Sequence, residues 1–116
     1  MTNAKDELLN VLRRAQIDLS EIRCADVWYE KENDDFDQED YFLHTDVKVQ
    51  LAVNYSSEQW TAFIEALNFE YYSGYGAQCL YGTVWLTEGR WLTRGEYDGS
   101  EWWDLHVYPE IPDVLK

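Results

Sequence analysis

Hydrophobic and polar positions along the chain fall into two periods. Within residues 4–16, Leu8, Leu9, Leu12 and Ala15 recur at helical spacing, with Asp6 and Glu7 in the first turn and Arg13 and Arg14 near the last, as a helix dipole favours. Residues 22–30 (IRCADVWYE) are rich in β-branched and aromatic types and predict a strand. Residues 41–55 alternate: Tyr41, Leu43, Val47, Val49, Leu51 and Val53 share one parity, and His44, Asp46, Lys48, Gln50 and Asn54 share the other. That pattern predicts a strand with one buried and one wet face. Ser56 and Gln59 then form an S-x-x-Q capping box, and Trp60, Phe63, Ile64 and Leu67 follow as a single apolar helix stripe. Asn68 is expected to end that helix in the left-handed conformation.

Beyond it, residues 69–79 predict a short strand and an irregular loop, and three strands follow at about 80–87, 90–97 and 101–108. Glu88-Gly89 and Asp98-Gly99 are the turn residues, and Pro109 and Pro112 end the sheet because proline cannot donate to a ladder. The order αββαβββ predicts an α+β fold, a single domain over residues 1–116, with two helices on one face of an antiparallel sheet of about five strands. Turn length fixes which side chains share a face. A two-residue turn at Glu88-Gly89 and an odd-length turn at Asp98-Gly99 are expected, because an even second turn sets Glu96 opposite Glu101, an unfavourable like-charge pair. The core face then holds Leu80, Val84, Leu86, Trp91, Thr93, Trp103, Leu105 and Val107. The open face holds Tyr81, Thr83, Trp85, Leu92, Arg94, Trp102, Asp104 and His106.

Charge changes this picture. The chain has 116 residues with 9 Lys+Arg against 23 Asp+Glu, a net charge of −14, yet 16% of its residues are aromatic. Such a charge alone would suggest disorder; the aromatic load supplies large groups to bury and predicts a folded domain. The balance excludes a nucleic-acid binder that neutralises phosphates, disfavours anionic lipid surfaces and leaves a basic protein as the complementary partner. The acids peak at residues 31–40 (KENDDFDQED), where one lysine and six acids leave −5, and a solvated loop is expected. The candidate partner-binding residues there are Glu30, Glu32, Asp34, Asp35, Asp37, Glu39 and Asp40.

Candidate chemistry is sparse. No apolar run approaches the roughly 20 residues of a membrane-spanning helix, and MTNAKDELLN lacks the basic and apolar regions of a signal peptide, so a cytoplasmic location is expected. Cys24 and Cys79 are too few for a disulfide framework and are expected as buried reduced thiols. Asp35, Asp37 and Glu39 alternate as calcium ligands can, but counting from Asp35 the EF-hand's glycine and glutamate positions hold Asp40 and Asp46. His44 and His106, with Asp46 and Asp104 two residues away, could bind zinc only if their strands adjoined. Gly74-Tyr75-Gly76 lacks the rest of a nucleotide fingerprint, and no serine sits in a nucleophile elbow. The expectation is a non-enzymatic protein without metal or cofactor.

The segments NFEYYSGYGAQCLYG and GTVWLTEGRWLTRGEYDGSEWWDLHVYPEIP, together spanning Leu67 to Pro112, resemble small acidic proteins encoded by bacteriophages and prophages. The resemblance implies phage origin and action inside an infected bacterium, and transfers no catalytic residue. It implies a protein that binds and inhibits a basic nucleic-acid-handling host protein, a counter-defence role. The expected mode is DNA mimicry, in which carboxylates, foremost those from Glu30 to Asp40 with Glu96, Asp98 and Glu101 at the last hairpin, occupy a groove built for phosphates and draw on the same counterion-driven affinity. The alternative is a small-ligand or peptide binding module using Trp85, Arg94, Trp102 and His106 on the open sheet face, where Trp and Arg dominate binding energy. The blander readings also stand: the charge keeps an aromatic-rich protein soluble, and the sheet-face residues pack on one another with Arg94 paired to Asp104.

Overall fold

Five strands of one sheet and two helices carry most of the described residues. The computed structural model describes residues 2–30, 46–71, 78–97, 100–109 and 111–115. The elements are β1 (Thr2–Asn3), α1 (Ala4–Arg14), β2 (Ile22–Tyr29), β3 (Val47–Leu51), α2 (Ser57–Ala66), β4 (Glu70–Tyr71), β5 (Leu80–Leu86), β6 (Arg90–Tyr97) and β7 (Ser100–Val107). The fold is α+β. An antiparallel sheet in the order β3-β2-β5-β6-β7 packs one face on the two helices, and β1 and β4 form a separate two-stranded ribbon. The short strand expected near residue 70 thus pairs with the N-terminus and not with the main sheet.

Local sequence accounts for the helices. Asn3 caps α1 by accepting from the Asp6 backbone N–H at 3.0 Å, and Asp6, Glu7, Arg13 and Arg14 sit at the dipole ends that suit them. The capping box of α2 is formed: Gln59 N–H donates to Ser56 Oγ at 3.1 Å and Ser56 N–H donates to Gln59 Oε1 at 2.7 Å. At the other end, Leu67 closes α2 in a right-handed conformation and Asn68 is not left-handed. Its side chain instead accepts from Asn3 Nδ2 at 3.1 Å, which ties the end of α2 to the start of α1.

The core lies between the sheet and the helices. Leu8 and Leu12 of α1 and Phe63, Ile64 and Leu67 around α2 meet Ala25, Val27, Tyr29, Leu51, Leu80, Val84, Leu86 and Leu92. The alternation of β3 has the expected phase, with Lys48 and Gln50 exposed, although Val53, beyond its end, is 54% exposed. Gly82 faces β2 so closely that a Cβ there would stand 2.5 Å from the Asp26 carbonyl oxygen. Among the described residues no helix is long and apolar enough to cross a membrane.

The two hairpin turns correct the predicted register. Val84 pairs with Leu92 and Trp85 with Trp91, so the first turn spans three residues, Thr87 to Gly89, with Glu88 and Gly89 both at positive φ. Tyr97 pairs with Ser100 and Glu96 with Glu101, so the second turn has two residues and brings together the acids that were expected to avoid each other. Each correction is one residue, and they cancel at β7. Hence β5 and β7 present the predicted faces while β6 is inverted: Leu92 and Arg94 face the core, and Trp91 and Thr93 face out. Leu105 and Val107 lie on the helix side but beyond the helices' cover, 41% and 57% exposed.

Candidate functional site

The sheet face away from the helices is the open surface. Along β2, β5, β6 and β7 the outward side chains include Trp28, Tyr81, Trp85, Trp91, Trp102 and His106, with Trp85 45% and Trp102 38% exposed. A polar row crosses all five strands through the middle of this face: Gln50, Asp26, Thr83, Thr93 and Asp104 are successive cross-strand partners. The row divides the aromatic side chains into two groups. On one side Trp28 stacks on Tyr81 at 5.7 Å between centroids and 9° between planes. On the other, Trp91 stacks on His106 at 5.2 Å and meets Tyr108 at 5.0 Å.

Polar contacts fix these rings in place. His106 Nε2 and Thr93 Oγ1 are 2.7 Å apart, and Trp102 Nε1 donates to Asp104 Oδ1 at 2.8 Å. Gly95 makes room for the Trp102–Asp104 pair, since a Cβ there would come within 2.5 Å of both Trp102 Nε1 and Asp104 Oδ2. Of the expected sheet-face set, Trp85, Trp102 and His106 are therefore on the open face, and Thr93 stands where Arg94 was expected, between Thr83 and Asp104.

Arg94 is instead on the core side, its side chain 1% exposed. Its Nη1 lies 3.0 Å from Glu7 Oε1, and its Nη2 meets Glu101 Oε1 at 3.2 Å and the Tyr71 hydroxyl oxygen at 2.7 Å. Its guanidinium lies over Trp103, 5.1 Å from the ring centroid, and is not paired to Asp104. Glu101, fully shielded, also accepts the backbone N–H groups of Cys79 and Leu80 at 2.9 and 3.0 Å. This explains the Glu96–Glu101 pairing: the carboxylate that should repel its neighbour is neutralised by a cation on the same face. Tyr71 donates to Glu7 at 2.6 Å. Burial pushes the Glu7 carboxyl above its ordinary range against the pull of Arg94 and Tyr71, and burial likewise raises the Tyr71 phenol. The cluster joins α1, β4, β6 and β7, with Arg94 and Glu101 shielded and Glu7 16% exposed at its rim, so it acts as a structural tie.

Charge gathers at one end of the open face. Asp26, Glu30 and Asp46 line a groove of about 370 Å³ together with Trp28, Val47 and Lys48, three carboxylates against one ammonium among the described residues. The groove lies where the chain enters and leaves the acidic segment. Of that segment's candidates Glu30 is placed; Glu32, Asp34, Asp35, Asp37, Glu39 and Asp40 lie outside the described residues, as does His44. Sequence reasoning missed Asp26, Trp28 and Asp46, which become neighbours only through the β2–β3 pairing; the signal was the outward parity of Asp26 and Trp28. A larger cleft of about 620 Å³ lies beside Trp60 and Tyr55, and among the described residues Arg23 is its one charged lining residue. Cys79 is buried, whereas Cys24 is only half-buried on the open face; neither forms a disulfide. Among the described residues no group of three His, Cys, Asp or Glu side chains could hold a metal ion.

Comparison with protein-family models, with curated protein sequences and with solved structures finds no match to this chain.

Proposed function

We propose that this chain is a non-enzymatic interaction protein that takes a basic segment of a partner protein onto the open face of its sheet. The observation that carries the reading is the groove in which Asp26, Glu30 and Asp46 surround Trp28. A lysine or arginine side chain fits such a place twice over, by charge pairing with the carboxylates and by lying on the indole face. The net charge of −14 adds long-range attraction for a basic partner and speeds encounter. Exposed Trp85 and Trp102 supply the amphipathic anchors that protein interfaces favour. In this reading the partner is a basic nucleic-acid-handling protein, in keeping with the resemblance of residues 67–112 to phage-encoded proteins, and the bound chain competes with nucleic acid for it.

Titration with a lysine- and arginine-rich peptide, followed by tryptophan fluorescence, tests this directly. Binding should weaken as salt rises, and an uncharged peptide of equal length should not bind. Asp26→Asn and Trp28→Ala should each weaken binding about tenfold, the loss of one charge-assisted or cation–π contact. Equal binding of the neutral peptide, or affinity indifferent to salt and to both substitutions, refutes the reading and favours a ligand held by the aromatic groups alone.

A further inference from the structure

Among the described residues, strand β7 is the last in the sheet and pairs only with β6. The Tyr108 backbone N–H donates to the Gly89 carbonyl, in phase with the β6–β7 register. In an antiparallel ladder the bonded residues alternate, so the even-numbered residues of β7 bond to β6 and the odd-numbered ones turn their N–H and C=O groups outward. Sheet edges are ordinarily blunted by lysine, proline, bulges or short length. Edge strand β3, five residues long, carries Lys48. The eight residues of β7 (SEWWDLHV) hold neither lysine nor proline, and its register with β6 is unbroken. Leu105, Val107 and Tyr108 beside this edge are 41%, 57% and 69% exposed.

The strand is complementary to itself. Set antiparallel about a two-fold axis at Leu105, it places Leu105 opposite Leu105 and Trp103 opposite Val107 on the helix side. On the open side it places Asp104 opposite His106 and Trp102 opposite Tyr108. Apolar groups then meet apolar groups, an acid meets an imidazole twice, and aromatic side chains face each other. The odd residues that must bond across such an axis are those whose backbone groups already point outward. Neighbouring registers match less well: centring on Asp104 opposes two carboxylates, centring on His106 opposes two imidazoles and sets Asp104 against Tyr108, and centring on Trp103 sets Leu105 against Glu101. Pro109 ends the ladder just past the last useful pair. We infer that two copies of this chain associate through β7 in this register, with about six backbone hydrogen bonds closing a continuous sheet across an isologous interface. The two open faces then lie side by side as one surface.

Sedimentation equilibrium over a concentration series tests this without any other partner present. The wild-type chain should show a monomer–dimer equilibrium. Leu105→Pro removes an outward N–H while leaving the β6 ladder intact and should raise the dissociation constant at least about tenfold. Asp104→Lys, a change on the open face, should weaken association as well, and adding His106→Glu to it should restore association by exchanging the charges across the axis. If Leu105→Pro does not fold by circular dichroism, the Asp104→Lys pair of variants carries the test. A wild-type chain monomeric throughout overturns the inference. So does a dimer that neither single substitution weakens, or one that the charge exchange fails to restore.

Discussion

Replacing Glu101 by alanine tests whether the buried charge cluster holds the end of the sheet together. The Glu101 side chain is fully shielded and makes three contacts: to the N–H of Cys79 at 2.9 Å, to the N–H of Leu80 at 3.0 Å and to Arg94 at 3.2 Å. Alanine leaves two buried backbone donors without an acceptor, at about 1–3 kcal/mol each. It also leaves Arg94 with Glu7 as its one carboxylate partner, and breaking a buried ion pair from one side costs about 3–5 kcal/mol. These costs overlap because they share the same two oxygens, so the expected loss is about 3–5 kcal/mol and not their sum. Against the roughly 5–15 kcal/mol typical of a domain, that is a large fraction. Glu101→Gln keeps one carbonyl acceptor and should lose about half as much. Urea unfolding followed by tryptophan fluorescence and by circular dichroism measures both. A loss below about 1 kcal/mol for alanine, or equal losses for alanine and glutamine, would show that neither the ion pair nor the backbone contacts matter.

Three further perturbations have defined outcomes. Glu7 binds its proton more tightly in the folded chain than in the unfolded one, so its contribution to stability is greatest in acid and declines as pH rises from 4.5 toward the raised folded value. Denaturation at stepped pH should show Glu7→Gln lacking that decline, while the Glu21 carboxyl, held low by its hydrogen bond with the Asp18 backbone and by Arg90, contributes the opposite slope in both proteins. Gly95→Val puts methyl groups where Trp102 and Asp104 now meet; it should displace the indole, shift tryptophan emission to the red and cost about 1–3 kcal/mol in thermal unfolding. Ser56→Ala removes the oxygen that accepts Gln59 N–H and should cost about 1 kcal/mol by the same assay.

Elements with strong local signals were legible in the sequence. Helix α1 has a stripe and matching end charges, α2 has a capping box, and β3 has clean alternation, so each is fixed by residues close together in the chain. The candidate site was legible only in part. Trp85, Trp102 and His106 lie on the open face as expected, Trp102 and His106 because the two one-residue differences in turn length cancel at β7. Trp28 and Asp26 also show outward parity, but that they share a groove with Asp46 depends on a pairing between segments separated by residues 31–45. The end of α2 was misread because Asn68 satisfies its side chain across the fold, on Asn3, and has no need of a left-handed backbone.

Strand β6 shows why local pattern fails at this one place. Its two parities are Arg90, Leu92, Arg94, Glu96 and Trp91, Thr93, Gly95, Tyr97; by hydrophobicity the second is the better core face, and the fold uses the first. What reverses the choice is charge. With Arg94 inward, one guanidinium answers both Glu7 and Glu101, and Glu101 in turn answers two backbone donors at the start of β5. Turned outward, Arg94 would leave those two carboxylates buried without a cation, a cost no exchange of Leu92 for Trp91 could offset. A purely apolar cluster of the same volume could equal this one in stability, but it would not distinguish between registers one residue apart. The information that sets β6 therefore lies in three charged residues, Glu7, Arg94 and Glu101, brought together from α1 and two strands. A pattern that sorts residues only into apolar and polar counts all three as solvent-facing.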